Sequence, residues 1–217
     1  MSLTLYSHPF SSYCQKVLVA LYENGVPFEY RTLEDPTAMT ELKARWPFAR
    51  FPVLVDDGRT IVESTIIIEH LMLTHGGRVR WLPEDPLAAL EVRFLDRVFD
   101  NDVMTAMQKP VFAALRKDEA AKEEALAEAG RALDLAYGWL EQRLEGRTWA
   151  AGNHLSLADC AAAPSLFYAD WVHPIAPAFP TLRAYRARLL AWPAFARAVD
   201  EARPFRSYFP LGAPDRD

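Results

Sequence analysis

The sequence predicts a two-domain protein, in which a small α/β domain of order β-α-β-α-β-β-α precedes an all-α helical domain. Two observations carry this prediction. Strand-like runs alternate with helical patterns up to about residue 78, and only helical patterns follow the Pro-rich connector at 79–86. A length of 217 residues is too great for one minimal domain and suits two modest ones. We therefore expect domains at 1–78 and 87–217.

The chain opens with a strand–helix–strand pattern. Leu3 to Tyr6 is a short apolar run typical of a buried strand, and Phe28 to Thr32 alternates like a strand. Between them, apolar residues recur at helical spacing from a serine N-cap to a stop signal at Gly25. Two strands joined in this way are expected to be parallel.

The rest of the first domain is predicted to be helix, hairpin and helix. A short helix is expected from Thr37 to Arg45. Val53 to Val55 and Thr60 to Val62 are joined by a segment that contains Asp57-Gly58, a strong hairpin signal. Ser64 to His75 has the pattern of a further helix. Elements in this order make a thioredoxin-like domain.

The second domain is predicted to contain only helices. Apolar residues keep helical spacing from Leu87 to Leu115, with a bend expected at Pro110. An Ala/Glu/Leu-rich helix is expected from Ala120 to Leu144. Three further helices, each set off by Pro or Gly, are expected at Ser156 to Val172, Thr181 to Ala191 and Ala194 to Ala202.

Composition and charge exclude several classes of protein. Hydrophobic residues make up 51% and charged residues 24%, which favours a packed core over disorder. The net charge is −5 and basic runs are absent, so nucleic acid and anionic membrane are poor partners. Signal-peptide features and spans of membrane-crossing length are also absent. Two distant cysteines, Cys14 and Cys160, indicate free thiols in a reducing compartment, and a cytoplasmic location is expected.

The first candidate site lies between the first strand and the first helix. A helix N-terminus has unpaired N–H groups and roughly half a positive charge, so it favours an anion. A serine hydroxyl there can donate to a bound thiolate and lower the thiol pKa from about 8.5. Ser11 has the spacing expected of this donor, and Ser12 is its rival. A plain helix cap above a buried Cys14 is the alternative.

Ser11 and Cys14 also form a Ser-x-x-Cys motif, in which a hydroxyl replaces the first thiol of a redox pair. A hydroxyl cannot form a disulfide, so dithiol exchange between these positions is excluded. Cys14 lies one turn into the helix and is expected to face inward. A thiol–disulfide reductase acting through Cys14 is therefore the least favoured function.

Two further motifs suit a peptide ligand. Pro52 stands just before a strand and after the bulky Phe51, which suits a cis peptide and backbone pairing with a ligand, although an ordinary trans proline is the alternative. Glu63 and Ser64 fall between the hairpin and a helix. Ser64 can cap that helix while its N–H and hydroxyl face a carboxylate, and Glu63 can accept from an ammonium group. A plain capping pair is the alternative.

Together these motifs resemble those of the glutathione transferases, in particular the members that use serine rather than tyrosine. The resemblance covers nearly the whole chain. Ser11 lies where the family's activating Ser or Cys opens the first helix, and Phe51-Pro52 matches its backbone-pairing residue and cis-proline. Glu63-Ser64 matches its pair for the γ-glutamyl end of glutathione.

The segment before Pro52 is similar to the family's plant-type pattern Asn-Pro-Phe-Gly-x-Val-Pro, with departures at Trp46 and Ala49. Arg50 stands where the family often has Gln or Lys and is implied to meet the glycyl carboxylate. Lys43 is a further candidate for the same end of the ligand.

The resemblance implies an enzyme that binds glutathione as co-substrate and attacks a small hydrophobic electrophile with its thiolate. Addition, halide displacement, isomerisation and peroxide reduction all fit such a site. The electrophile is expected between the domains, near Phe10, Phe112, Trp171 and the tail at Tyr208-Phe209. A non-catalytic binding or interaction protein on the same fold is the alternative.

The resemblance also implies a homodimer, with Phe48 either inserted into a partner subunit or buried in its own domain. Ser156 and Asp159 have capping-box spacing and are similar to the family's folding box, so their role is structural. No metal site is expected, because the five histidines show no spacing typical of metal ligands. They are His8, His70, His75, His154 and His173.

Overall fold

The computed structural model describes residues 2–217, and Met1, with which the first expected domain begins, lies outside the described residues. The first part of the chain is a four-stranded sheet with three helices. The strands are β1 (Leu3–Ser7), β2 (Glu29–Thr32), β3 (Val53–Asp56) and β4 (Arg59–Val62). The helices are α1 (Ser12–Asn24), α2 (Pro36–Arg45) and α3 (Ser64–Thr74). The predicted order of elements is confirmed.

The strands lie in the order β2-β1-β3-β4. β1 pairs parallel with β2 and antiparallel with β3, and β3 and β4 form an antiparallel hairpin. The hairpin turns at Asp57 and Gly58, which both have positive φ, 45° and 85°. This geometry is typical of the Asp-Gly turn that the sequence predicts.

The second part of the chain is helical, as predicted. Its α-helices are α4 (Pro86–Val98), α5 (Thr105–Leu115), α6 (Glu119–Arg143), α7 (Leu157–Val172), α8 (Pro180–Ala191) and α9 (Pro193–Ala202). A 3₁₀ segment follows at Arg203–Tyr208. Among the described residues, none of the helices combines the length and apolarity needed to cross a membrane. The domain limits at 78 and 87 stay a prediction, with α3 ending before the first and α4 beginning at Pro86.

The long helix predicted from Leu87 to Leu115 is interrupted at a different place from the one expected. The α-helical pattern gives way to a π-helix at Phe99–Met104, whereas Pro110 lies inside α5. The backbone N–H of Thr105 reaches back five residues to the carbonyl of Asp100, and the Thr105 hydroxyl donates to the same oxygen at 3.0 Å. The π turn thus sets the position of Asp100, a residue of the site described below.

One hydrophobic core spans both parts of the chain, with α1 at its centre. Val17, Leu18 and Leu21 of α1 are buried, and α1 packs against α3 on one side and against α7 and α9 on the other. Gln15 of α1 is buried too, and its amide donates to the Tyr168 hydroxyl of α7 at 3.0 Å. The N-terminus of α1 is therefore held between the sheet and the helical part.

Candidate active site

A cleft of about 1420 Å³ opens between the two parts of the chain, beside the N-termini of α1 and α3. All three sequence motifs contribute to its wall. The predicted ligand-binding residues on that wall are Ser11, Ser12, Arg50, Phe51, Pro52, Glu63 and Ser64. Lys43 is the exception, because it lies exposed on α2 and does not line the cleft.

Ser11 is the N-cap residue of α1. It has extended backbone angles, φ −85° and ψ 124°, and its Oγ accepts from the backbone N–H of Cys14 at 3.4 Å. A hydroxyl that accepts one bond still has a proton to donate. Ser12 is the first residue of the helix and is buried with 9% exposure, whereas Ser11 is half-buried at the cleft wall. The predicted serine cap is confirmed, and Ser11 lines the cleft beside the positive end of a helix.

Cys14 points away from the cleft into the core, as expected. Its side chain is fully buried, and its Sγ accepts from the backbone N–H of His8 at 3.4 Å. Burial raises the pKa of the Cys14 thiol, although hydrogen bonds from Ser7, His8 and Ser11 act in the opposite direction. A buried thiol with a raised pKa is a poor nucleophile. The geometry thus argues against a reductase that acts through Cys14.

The segment before β3 bends sharply at the cleft. The peptide bond between Phe51 and Pro52 is cis, which decides between the two alternatives left by the sequence. Ala49 has φ 55°, a left-handed conformation that favours glycine. Arg50 lies beside it, with its guanidinium carbon 5.9 Å from the ring centre of the exposed Phe48.

Glu63 and Ser64 begin α3 in a way that differs from the prediction. Glu63 occupies the N-cap position without a side-chain cap bond, and Ser64 is the buried first residue of the helix. The expected cap by Ser64 is therefore wrong, because the chain enters the helix one residue earlier. Glu63 has φ 67°, a conformation that costs a non-glycine residue about 1–3 kcal/mol and is typical of ligand-binding sites.

A buried charge cluster lies behind this wall and joins α1, α3 and α4. The Nζ atom of Lys16 is 2.5 Å from Asp96 Oδ1 and 2.8 Å from Asp100 Oδ2. It also donates to the Thr65 hydroxyl at 2.9 Å. Arg97, half-exposed in the cleft, bonds both carboxylates at 2.5 and 2.6 Å. Two cations thus balance two carboxylates, as burial of charge requires.

This cluster was not predicted from the sequence. Burial raises the pKa of the Asp100 carboxyl, and the neighbouring Lys16 opposes this effect. Tyr13 lines the cleft as well, and burial, together with the nearby Asp100, raises its pKa to about 12. The one local signal was a lysine next to the apolar run Val17 to Leu21 of α1.

The outer part of the cleft is largely apolar. Phe10 and Phe112 line it, as expected, and Phe112 is 51% exposed. Trp171 was expected there too, but it is buried behind the wall, with its ring 6.2 Å from Phe10 and 5.2 Å from Phe209. Its interior position on α7 gives it a supporting role. Further apolar residues of the cleft lining include Met104, Met107, Val111, Leu115, Tyr208 and Phe209.

Two family models match the chain. "Glutathione S-transferase, N-terminal domain" matches residues 5–79, and "Glutathione S-transferase, C-terminal domain" matches residues 103–193. Together they cover both parts of the structure and the two sides of the cleft.

Three relatives show the range of proteins that the chain is similar to. A probable maleylacetoacetate isomerase of Caenorhabditis elegans is 29% identical over 92% of this chain and 94% of the relative. FtsZ-localized protein A of Caulobacter vibrioides is 33% identical over 77% of each chain. Glutathione S-transferase theta-1 of Bos taurus is 26% identical over 88% of this chain and 81% of the relative.

Solved structures show the same fold across the full length. An epsilon-class glutathione S-transferase from housefly superposes with a TM-score of 0.81 over 97% of this chain and 98% of the other, at 22% identity. The unclassified glutathione S-transferase 2 of Bombyx mori gives 0.82 over 99% and 100%, at 21% identity.

Proposed function

The chain belongs to the glutathione transferase family, and on this premise we propose that it binds glutathione as a thiolate at Ser11. It is an enzyme of glutathione transfer. In the proposed reaction the glutathione thiol gives up its proton, and its sulfur forms a bond to a small hydrophobic electrophile. In a displacement the leaving group departs with the bonding electron pair, and in an addition the product takes up a proton.

The single observation that carries this proposal is the position of Ser11. Its hydroxyl lies at the N-terminus of α1, on the wall of a cleft large enough for a tripeptide. The helix end and the hydroxyl donor both favour an anion at that point. A modest fall in the thiol pKa is the useful regime, because a thiolate loses intrinsic nucleophilicity as its pKa falls.

The other cleft residues suit the remaining parts of the tripeptide. We assign the Glu63 carboxylate to the α-ammonium group and the N–H and hydroxyl of Ser64 to the γ-glutamyl carboxylate. The backbone of Phe51, beside the cis peptide, is assigned to the ligand's own backbone. Arg50 is assigned to the glycyl carboxylate, whereas Lys43 is left out because it does not line the cleft.

The apolar outer part of the cleft supports a hydrophobic electrophile. Phe10 and Phe112 line it, and the buried Met104 and Met107 lie in the same wall. Relatives named probable maleylacetoacetate isomerase make isomerisation of maleylacetoacetate one reaction to assay. Displacement from a chlorodinitrobenzene and reduction of an organic peroxide are the others.

The test compares Ser11→Ala with Ser12→Ala in the full chain. Glutathione should raise the Tm of the wild-type protein, because a ligand that binds the folded state stabilises it. Ser11→Ala should raise the pKa of bound glutathione, measured by thiolate absorbance, and lower kcat/KM about 10–100-fold, since a bond to a charged group contributes about 1.5–3 kcal/mol.

Ser12→Ala is the matched control and should leave both quantities nearly unchanged. If Ser12→Ala alone lowered kcat/KM and raised the pKa of bound glutathione, Ser12 rather than Ser11 would be the donor to the thiolate. A folded wild-type protein whose Tm does not respond to glutathione would contradict the proposal. That result would favour an interaction protein, the class to which the name of FtsZ-localized protein A points.

We also propose that two copies of the chain associate. Phe48 is 67% exposed, so it is not buried within its own domain, and one of the two alternatives for this residue is removed. Large apolar side chains are also exposed on α3 and α4, at Ile66, Leu87, Leu90 and Phe94. A second copy of the chain that covers them would explain this exposure.

A further inference from the structure

Two histidines and one carboxylate meet at the end of α3 that lies away from the cleft. Asp56 is the last residue of β3, His70 lies on α3, and His75 is the C-cap residue of that helix. The Nε2 atoms of His70 and His75 lie 2.8 and 2.9 Å from the same oxygen, Oδ2 of Asp56. The three ligand atoms all lie within 4.8 Å of one another.

The cluster is separate from the glutathione cleft. α3 begins at the cleft with Ser64, and His75 follows eleven residues later, which is roughly 16 Å along a helix. None of the three residues lines the cleft. Their side chains are 11–15% exposed, so they are shielded but open to solvent on one side.

Among residues 2–217, no Lys or Arg side chain forms an ion pair with Asp56. The imidazoles of His70 and His75 are its partners. Partial burial raises the pKa of Asp56, but the bonds from the two histidines outweigh this effect, and the pKa stays below its usual value. The cluster thus brings one carboxylate and two imidazole rings together at one point.

We propose that Asp56, His70 and His75 form a Zn²⁺ site. Zinc takes imidazole nitrogen at about 2.0–2.1 Å and carboxylate oxygen at about 2.0–2.2 Å in a tetrahedral arrangement. Ligand atoms of such a site lie about 3.3 Å apart, so the observed nitrogen–oxygen distances of 2.8 and 2.9 Å need to widen by a few tenths of an ångström.

The donor set favours Zn²⁺, and binding of the metal displaces protons from the histidines. Nitrogen ligands favour Zn²⁺ over Ca²⁺ and Mg²⁺, which prefer oxygen. In the absence of metal each Nε2 donates its proton to Asp56. To bind Zn²⁺ through Nε2, a neutral imidazole loses that proton to solvent and takes one up on Nδ1, whereas an imidazolium only releases its Nε2 proton. Three protein ligands leave the fourth position, on the solvent side, for a water molecule. The metal would tie the end of α3 to the end of β3.

The experiment titrates ZnCl₂ into tag-free full-length protein that has been dialysed against a chelator, by calorimetry and by thermal shift. We expect one site per chain, a rise in Tm that the chelator reverses, and visible absorption bands when Co²⁺ replaces Zn²⁺. His70→Gln and His75→Gln should each weaken Zn²⁺ binding at least tenfold and remove the bands. His154→Gln, which changes an exposed histidine outside the cluster, should bind like wild type.

The variants need a check on folding that is independent of metal. Each should keep its far-UV circular dichroism, and Asp56→Asn serves where a histidine variant does not fold. Wild-type protein that binds no Zn²⁺ at micromolar concentration would overturn the proposal. Unchanged stoichiometric binding in both histidine variants would overturn it as well, because the metal would then lie elsewhere.

Discussion

Two residues of the cleft wall hold backbone angles that favour glycine, and neither of them is glycine. Ala49 has φ 55° and Glu63 has φ 67°. Such a conformation costs a non-glycine residue about 1–3 kcal/mol. Ala49 is held by a hydrogen bond from its N–H to the carbonyl of Trp46 at 3.0 Å. The chain thus keeps local strain next to its proposed ligand.

Ala49→Gly should stabilise the protein. Removal of the Cβ relieves the left-handed strain, and the greater entropy of glycine in the unfolded chain offsets part of the gain. We expect the free energy of unfolding to rise by about 0.5–1 kcal/mol, or roughly 1–4 °C in Tm. Ala127→Gly, on the exposed face of α6, is the matched control. It should lower the free energy of unfolding by about 1 kcal/mol. If both variants lost the same amount of stability, Ala49 would not be strained.

The sequence predicted those site residues whose signals are local. Ser11 could be recognised because a helix cap depends on the next few residues, and Pro52 because a proline restricts its own neighbours. Lys16 could not be assigned, since its partner Asp100 is 84 positions away. The same holds for Asp56 and the histidines of α3, which the fold of β3 against α3 brings together and which no sequence spacing indicates.

At the scale of elements, the apolar pattern predicts where helices lie, but not whether the backbone within them is α-helical or π-helical. A single π turn adds only about one residue to the helical repeat, and the apolar pattern from Leu87 to Leu115 does not reveal it. The π-helix at Phe99–Met104 depends on the bond that Thr105 makes to the carbonyl of Asp100. Pro110 was the sequence signal for a bend, but it lies inside α5.

The start of α7 was predicted in detail, and the structure adds partners. The capping box of Ser156 and Asp159 is present, with the Asp159 carboxylate accepting from Ser156 N at 2.9 Å. The same carboxylate accepts from Ala150 N at 2.8 Å and from the Tyr185 hydroxyl at 2.6 Å. Burial raises the pKa of Asp159, while these bonds favour its charged form. One side chain therefore joins α7, α8 and the preceding loop.

Asp159→Ala should destabilise the protein by about 3–4 kcal/mol, measured by urea unfolding. The substitution leaves several buried donors without an acceptor, and each costs about 1–3 kcal/mol. Asp118→Ala is the control. It removes the exposed N-cap of α6, whose side chain accepts from Ala121 N, and should cost about 1 kcal/mol. Equal effects of the two substitutions would contradict the network role of Asp159.

For the whole molecule, the order of elements and the all-helical second part followed from the sequence, whereas the unpartnered surfaces did not. An amphipathic pattern shows which face of a helix is apolar but not what covers it. On α4, Leu87 and Leu90 stay 76% and 61% exposed. Phe94 contacts Trp139 of α6, with ring centres 5.8 Å apart, so the apolar face of α4 continues onto α6. Apolar patches of this kind are typical of protein interfaces.

Phe94→Glu should separate the proposed dimer. In a two-fold symmetric pair each substituted residue occurs twice, so one change places two buried carboxylates in the interface. We expect light scattering to give twice 24.6 kDa for the wild-type chain and a monomer for the variant. Ala184→Glu, on the exposed face of α8, should leave the dimer intact.

A wild-type monomer, or a Phe94→Glu variant that remains dimeric, would contradict the role proposed for this surface. Phe94 is already 47% exposed in one chain, so the variant is expected to fold. Ser11, Phe51 and Glu63 all line the cleft of a single chain. The separated monomer should therefore still gain Tm on addition of glutathione, and loss of that gain would show that the partner subunit completes the site.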